Sequence, residues 1–293
     1  MVTQSQANQL TSGRSKAQEG ADSMSTAALD RVCKLVYDKT GIVLSKAKHD
    51  LIQRRLRIRM KATGVSSLEQ YMAAIAKPGS PEEEQFFNVM TTNLTSFFRE
   101  SHHFDFLANT IVPEIQVAKR NSDRRLRIWS AGCSTGEEPY SIAITLRETM
   151  SDIDRWDAKV LCTDLDTSVV QTAKAGIYKE DRLDKMPSRQ LRQWFEKQSG
   201  DRETHYRAVD ALRELLVFKP LNLMHRWPMR GKFDVIFCRN VVIYFDKPTQ
   251  RKLMARYYDA LEDGGYLILG HSESLFNVSD SFDLLGHTVY RKK

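Results

Sequence analysis

The spacing of apolar side chains along the chain changes near residue 120. Before that point apolar residues recur at helical intervals, as at Leu29, Val32 and Val36. Three further helices are predicted over 46–62, 67–76 and 81–92. The last of these begins with a proline and three glutamates, which is typical of a first helical turn. The pattern predicts a small all-α domain over about 25–90.

Beyond residue 120, short apolar runs alternate with helical patterns. Strands are predicted over 126–131, 158–163, 214–218, 233–238, 265–270 and 284–291. Helices are predicted over 136–149, 167–175 and 248–261. Such alternation indicates an α/β domain in which helices cover both faces of a mainly parallel sheet. The long polar stretch 176–213 interrupts the alternation, so we predict an inserted subdomain there.

Composition narrows the possible environments. Residues 1–24 are polar and rich in Ser, Gln and Ala, which predicts a disordered tail. No apolar run approaches the roughly 18–20 residues of a membrane span, and the N-terminus lacks a signal-peptide core. We therefore expect no membrane insertion and a cytoplasmic protein. The four cysteines have no C-x-x-C spacing, and His102-His103 has no Cys or carboxylate partner at ligand spacing, so no metal site is predicted.

Positive charge is concentrated in one segment of the predicted helical domain. Arg31 to Lys61 contains ten Lys or Arg and two Asp, an excess of eight that exceeds the net charge of +7 for the whole chain. Such a surface predicts an anionic partner. The candidate partner-binding residues are Arg54, Arg55, Arg57, Arg59 and Lys61.

The segment Gly132-Cys133-Ser134-Thr135-Gly136, between a predicted strand and a predicted helix, has two possible functions. It fits G-x-S-x-G, the nucleophile elbow of serine hydrolases, and His271 and His287 lie downstream. The two glutamates that follow would, however, oppose a developing oxyanion. A phosphate-binding P-loop is excluded, because Gly136 is followed by Glu rather than Lys.

The same turn fits a cofactor site better. An acid at the start of the next helix suits a cationic or hydroxyl-bearing ligand, and S-adenosylmethionine has both features. A ribose-binding carboxylate is then expected after the second strand, where Asp164 lies. The alternative role for Asp164, a cap for the helix 167–175, fits Asp166 better. The stretch FDVIFCRN, which contains the strand 233–238, ends at Asn240 near the same sheet edge, and ligands of open α/β sheets bind outside such strand ends.

The motifs together resemble the CheR family of chemotaxis receptor glutamate O-methyltransferases. The matching stretches are TTNLTSFFRE (91–100), WSAGCSTGEEPYSIAI (129–144), TDLD (163–166), LNL (221–223), FDVIFCRNVVIYFD (233–246) and GGYLILGHSES (264–274). The resemblance covers about 27–291. It implies a receptor-recognition domain at 25–90, a linker with a connecting helix at 91–120, and a class I S-adenosylmethionine-dependent methyltransferase domain, Rossmann-like, at 121–293 with an inserted small β-subdomain.

The resemblance also implies roles for individual residues. Those implied to bind S-adenosylmethionine are Asn93, Thr95, Arg99, Glu138, Asp164, Asn222, Leu223, Asn240 and Val241. Arg99 and Tyr244 are implied to lie near the reacting methyl group, which passes to glutamates on the methylation helices of chemoreceptors and leaves S-adenosylhomocysteine. A monomer is expected.

The chemistry of this reaction fits a site without a Cys or His nucleophile. A glutamate side chain is already ionised at neutral pH, so its methylation needs no general base. A cation should accompany the buried carboxylate, and Arg99 is the candidate. Two alternatives compete with this function besides the hydrolase. A nucleic-acid base methyltransferase is disfavoured because Asn240 is followed by Val-Val-Ile-Tyr rather than an NPPY-type loop. The second alternative is a non-catalytic module that binds S-adenosylmethionine and docks on receptors.

Overall fold

The computed structural model describes residues 24–77, 80–198 and 204–293. The predicted disordered tail lies outside these residues, apart from Met24. The described chain divides into two compact units, one formed by 24–39 and 43–86 and the other by 40–42 and 87–293. Within the described ranges, every helix is too short or too polar to cross a membrane.

The first unit is helical, as the apolar spacing predicts. It contains α1 (Thr26–Thr40), α2 (His49–Thr63), α3 (Leu68–Ile75) and most of α4 (Pro81–Met90). Its core is built from side chains spaced three or four residues apart on each helix: Leu29, Val32, Val36, Ile52, Leu56, Tyr71, Ile75 and Phe86. Gly64 ends α2 with a φ of 70°, and the Ser67 hydroxyl caps α3 by accepting the Gln70 N–H at 3.2 Å.

The second unit is built on a seven-stranded sheet. Its strands are β1 (Arg125–Ala131), β2 (Asp157–Asp164), β6 (Leu216–Pro220), β7 (Phe233–Cys238), β8 (Leu261–Leu269), β9 (Phe282–Gly286) and β10 (Val289–Lys292). The order is β6-β2-β1-β7-β8-β10-β9, with β10 antiparallel to both neighbours and the other pairings parallel. The prediction of a single strand over 284–291 is wrong. A hairpin divides it, because Gly286, His287 and Thr288 have φ values of 115°, 48° and 58°.

Helices cover both faces of this sheet. They are α5 (His102–Phe106), α6 (Val112–Lys119), α7 (Glu137–Thr149), α8 (Thr167–Ala175), α9 (Ser188–Trp194), α10 (Asp210–Arg213) and α11 (Lys247–Ala260), with one π-helical turn over Leu107–Ile111. Neighbouring residues on a strand enter opposite cores. Ile128 and Val235 face one core, whereas Trp129 and Ile236 face the other. This two-sided burial explains why the strands read as continuous apolar runs.

The predicted insertion forms a small antiparallel sheet. Its strands are β3 (Ile177–Lys179), β4 (Phe195–Gln198) and β5 (His205–Ala208), in the order β3-β5-β4. Tyr178 and Phe195 pack edge-on against Phe97, with ring centroids 5.0 Å and 5.5 Å from it. The small sheet therefore supports the segment that precedes β1.

Three buried thiols lie near the carboxyl ends of the central strands of the large sheet. Cys162 is in β2, Cys238 ends β7, and Cys133 follows β1 by two residues; all three are buried and unpaired by disulfides. Burial raises the pKa of each thiol. Cys33, in the helical unit, is only partly buried. The three buried cysteines therefore act as small apolar side chains.

Candidate active site

The glycine turn after β1 forms the floor of a site at the carboxyl ends of the strands. The N–H groups of Gly132 and Cys133 donate to the Thr163 carbonyl at 2.8 Å and 2.9 Å, which fixes the turn against β2. Gly132 has a φ of 94°, and a Cβ there would lie 2.3 Å from Cγ2 of Val241. Glycine is therefore required both for the conformation and for the close approach of Val241.

Ser134 is held in this turn in a way that does not suit a nucleophile. Its hydroxyl donates to the Asn93 carbonyl at 2.9 Å, and its N–H donates to Oδ2 of Asp164 at 2.8 Å. His271, a candidate base for a triad, instead donates from Nδ1 to Oε1 of Glu100 at 2.7 Å. The geometry gives no support to the serine hydrolase alternative.

Asp164 and Asp166 have separate functions at the end of β2. Asp164 is half-buried, and its other oxygen accepts the Asp166 N–H at 3.0 Å. Burial raises its pKa to about 6, although its N–H donors oppose the rise. Asp166 caps α8, as predicted, and its second oxygen accepts the Asn93 amide at 2.7 Å. Asn93 is thus brought to the site with its side chain committed to Asp166.

Glu138, at the start of α7, belongs to a buried ionic network. Its Oε1 accepts the Ser130 hydroxyl at 2.7 Å, and its Oε2 lies 2.9 Å from Nη1 of Arg239. The Arg239 side chain is only 2% exposed, and it also contacts Oε2 of Glu100 at 3.2 Å and the Arg99 carbonyl. Sequence analysis missed Arg239, although it lies in the matched stretch FCRN.

The segment 93–100 is tied to the site through its backbone. The Arg99 side chain is 30% exposed, and its Nη1 donates to the Leu94 carbonyl at 2.9 Å. The Thr95 carbonyl accepts from Arg182 at 3.1 Å. Arg182 comes from the inserted subdomain and also binds the fully buried Glu137. Arg182 is a second residue that sequence analysis missed.

The remaining predicted cofactor residues lie in two loops at the same sheet edge. The Leu221 N–H donates to the Asp164 carbonyl at 2.8 Å, which brings the adjoining Asn222 and Leu223 towards that acid. Asn240 has a φ of 59°, rare for a non-glycine residue. Val241 lies against the glycine turn, and its carbonyl accepts the Tyr244 N–H at 3.1 Å.

Histidines and Glu100 form a cluster beside this network. Glu100, His102 and His103 place potential metal ligands within 4.8 Å of one another, so the prediction that His102-His103 has no carboxylate partner at ligand spacing is wrong: Glu100 lies three residues before His103. The oxygen of Glu100 that lies 3.5 Å from Nδ1 of His103 is, however, also the one bound by Arg239. Although burial opposes it, hydrogen bonding from His271 and the charge of Arg239 lower the pKa of Glu100 to about 2. A dication there would lie against a buried guanidinium, so the geometry favours an ion-pair network.

The basic residues of α2 divide into two groups. Arg54, Arg57 and Lys61 are exposed, and their spacing of three and four residues places them on one face. Arg55 is partly buried. Arg59 forms a two-point ion pair with Glu82, at 2.6 Å and 2.9 Å, and Glu82 also accepts the Tyr71 hydroxyl at 2.6 Å. Arg59 therefore has a structural contact inside the helical unit.

A glycine turn after the first strand of the sheet, with Glu138 on the next helix and Asp164 at the end of the second strand, is the arrangement in which α/β proteins bind a nucleotide or adenosyl cofactor. Residues 93–291 match the CheR methyltransferase SAM binding domain, and residues 27–91 match the CheR methyltransferase all-alpha domain. The chain belongs to the CheR family.

Named relatives agree with this assignment. A probable chemotaxis protein methyltransferase of Rhizobium etli is 40% identical over 259 residues, which cover 88% of this chain and 96% of the relative. The chemotaxis protein methyltransferase of Salmonella typhimurium is 40% identical over 270 residues, covering 91% and 90% of the two chains. The one from Escherichia coli is also 40% identical over 270 residues, covering 91% of each chain.

Proposed function

We propose that this enzyme transfers a methyl group from S-adenosylmethionine to the side-chain carboxylates of specific glutamates in chemoreceptors, forming glutamyl methyl esters. The observation that carries the proposal is the convergence of Asp164, Glu138 and Asn240 around a glycine turn closed by Val241. The similarity to named chemotaxis protein methyltransferases supports the choice of substrate.

The carboxylates and loop residues at this site fit S-adenosylmethionine, which supplies an electrophilic methyl group when bound. Asp164 offers carboxylate lone pairs to the ribose hydroxyls, and Asn222 and Leu223 would contact the adenine. Glu138 already accepts two hydrogen bonds, but an ionised carboxylate has about four lone-pair positions and can accept more. Asn240 and Val241 would line the methionine end.

The protein contributes alignment and charge rather than acid–base chemistry. The receptor glutamate is already an anion near pH 7, so the site must hold its carboxylate roughly 3–3.5 Å from the methyl group and exclude water. Arg99 is the cation for this carboxylate. One of its N–H groups is donated to the Leu94 carbonyl, and a guanidinium has five. Tyr244 would border the same space.

The exposed basic face of α2 provides a surface for the receptor. Arg54, Arg57 and Lys61 would complement methylation helices rich in acidic residues and steer their encounter. The proposal places the enzyme in the cytoplasm as a monomer, where the cytoplasmic domains of chemoreceptors are its partners.

The test uses radiolabelled S-adenosylmethionine and chemoreceptor-rich membranes. Base-labile label on receptor is expected, because methyl esters hydrolyse in base and N-methyl groups do not. Arg99→Ala should lower the rate while leaving the affinity for S-adenosylhomocysteine measurable by calorimetry. Base-stable label, or label on nucleic acid, would contradict the proposal. Light scattering should show one chain per particle.

A further inference from the structure

The segment Gly270 to Ser274 follows β8 and contains a buried acid that the chemistry above does not use. Glu273 is 4% exposed, and its oxygens accept three backbone N–H groups. Oε2 lies 2.8 Å from the backbone nitrogen of Asn240 and 2.6 Å from that of Gly270, and Oε1 lies 3.1 Å from the backbone nitrogen of Ile243. Burial raises the pKa of this carboxyl, and the N–H donors oppose the rise.

Two of these N–H groups belong to the loop that carries the predicted methionine-end residues. Asn240 holds a left-handed conformation there, which is rare for non-glycine residues although asparagine adopts it more readily than most. Gly270 packs closely on the same carboxylate. A Cβ added at Gly270 would lie 2.8 Å from the backbone nitrogen of Asn240 and 2.9 Å from Oε2 of Glu273. The loop is thus folded around the Glu273 carboxylate.

We propose that Glu273 is a positioning residue for methyl transfer, holding the segment from Asn240 to Tyr244 in the conformation that lines the methionine end of the cofactor. This rests on the proposed function, because that function gives the segment its task. Glu273 acts through the loop. It fixes the backbone of Asn240, presses Val241 against the glycine turn, and sets the start of the turn that ends at Tyr244.

The role requires both the charge and the length of glutamate. Glutamine keeps the shape but has one acceptor oxygen, and its NH₂ group would face a peptide N–H. Aspartate keeps the charge but is shorter by one carbon–carbon bond, about 1.5 Å, so it cannot reach both Asn240 and Ile243 unchanged. Both variants should therefore loosen the loop while leaving most of the core intact.

The experiment compares Glu273→Gln and Glu273→Asp with Glu262→Gln in the full chain. Glu262 lies near the other end of β8, about 20 Å or more away. We expect Glu273→Gln to weaken S-adenosylhomocysteine binding about 5-fold or more and to lower kcat about 10–100-fold, the range for a lost positioning contact. The KM for receptor and the circular dichroism spectrum should stay at wild-type values. A general loss of structure would change these two measurements together with kcat and S-adenosylhomocysteine affinity. Glu262→Gln should behave as wild type.

Wild-type kcat and S-adenosylhomocysteine affinity in Glu273→Gln would overturn the proposal. If that variant does not fold, hydrogen exchange of the wild-type protein decides: rapid exchange of the Asn240 and Ile243 amides would also overturn it. Failure of the proposed function looks different, because the wild-type protein itself would then form no receptor methyl esters. The effect on S-adenosylhomocysteine affinity tests Glu273 in either case.

Discussion

Protonation of Asp164 is expected to control cofactor affinity in weakly acidic solution. Burial raises its pKa to about 6, the nearby charge of Asp166 acts in the same direction, and the N–H groups of Ser134 and Asp166 oppose the rise. The ionised carboxylate can accept hydrogen bonds from both ribose hydroxyls. Protonation turns one of its oxygens into an O–H donor and so removes an acceptor position. The free protein must therefore lose a proton from Asp164 before the cofactor binds fully.

The magnitude follows from the pKa. With a value of about 6, roughly 10% of free Asp164 is protonated at pH 7 and roughly 90% at pH 5. The raised pKa means that acid favours the protonated, unliganded form, so affinity is present above pH 6 and is lost as pH falls through it. The apparent Kd for S-adenosylhomocysteine should rise about tenfold between pH 7 and pH 5, or about 1.4 kcal/mol.

Calorimetry of wild type and Asp164→Asn between pH 5 and pH 8 measures this directly. At pH 7 the variant should bind about 1–3 kcal/mol more weakly, the range for a lost charge-assisted hydrogen bond. Its Kd should then stay constant down to pH 5, because residue 164 no longer titrates. An equal acid slope in the variant would assign the slope to another group and would refute the reasoning.

Three further variants test other parts of the structure. Ser134→Ala should keep most methyl transfer, since its hydroxyl only donates to a carbonyl; labelling of Ser134 by a fluorophosphonate would contradict this. Arg239→Met should lower the free energy of unfolding by about 3–5 kcal/mol, because buried carboxylates lose their partner, and a change below about 1 kcal/mol in urea denaturation would be inconsistent. Reversal of Arg54, Arg57 and Lys61 to Glu should slow receptor methylation at low salt and weaken its salt dependence, leaving S-adenosylhomocysteine affinity unchanged. A wild-type rate at low salt would exclude this face as the receptor surface.

The elements that sequence predicts well are those with a complete local signal. The central strands contain buried apolar residues, and polar residues at or just beyond their ends mark the site: Asp164 is the last residue of β2, and Asn240 follows the end of β7 by two residues. The sequence does not predict the hairpin within 284–291, because its turn, Gly286-His287-Thr288, contains no Asn-Gly or Asp-Gly pair. The apolar and β-branched residues on either side of Gly286-His287 then read as one strand.

The residues that sequence misses are those whose role depends on distant partners. Arg239 is buried because Glu138 and Glu100, more than 100 residues earlier, neutralise its charge, and no local pattern records that pairing. Arg59 belongs to the same helix as the other predicted partner-binding residues, and its ion pair with Glu82, 23 residues later, is not visible in the local sequence. Sequence therefore locates the sheet edge and the acids, but not the ionic contacts that organise them.

The three buried thiols also allow local opening of the sheet to be measured by chemical modification. Cys133, Cys162 and Cys238 lie on or just beyond the neighbouring strands β1, β2 and β7, close to the strand ends that form the site. Alkylating reagents react with the thiolate, so a buried thiol with a raised pKa is modified only when the structure around it opens. Alkylation rates at these three positions therefore measure how often each part of the sheet opens under native conditions.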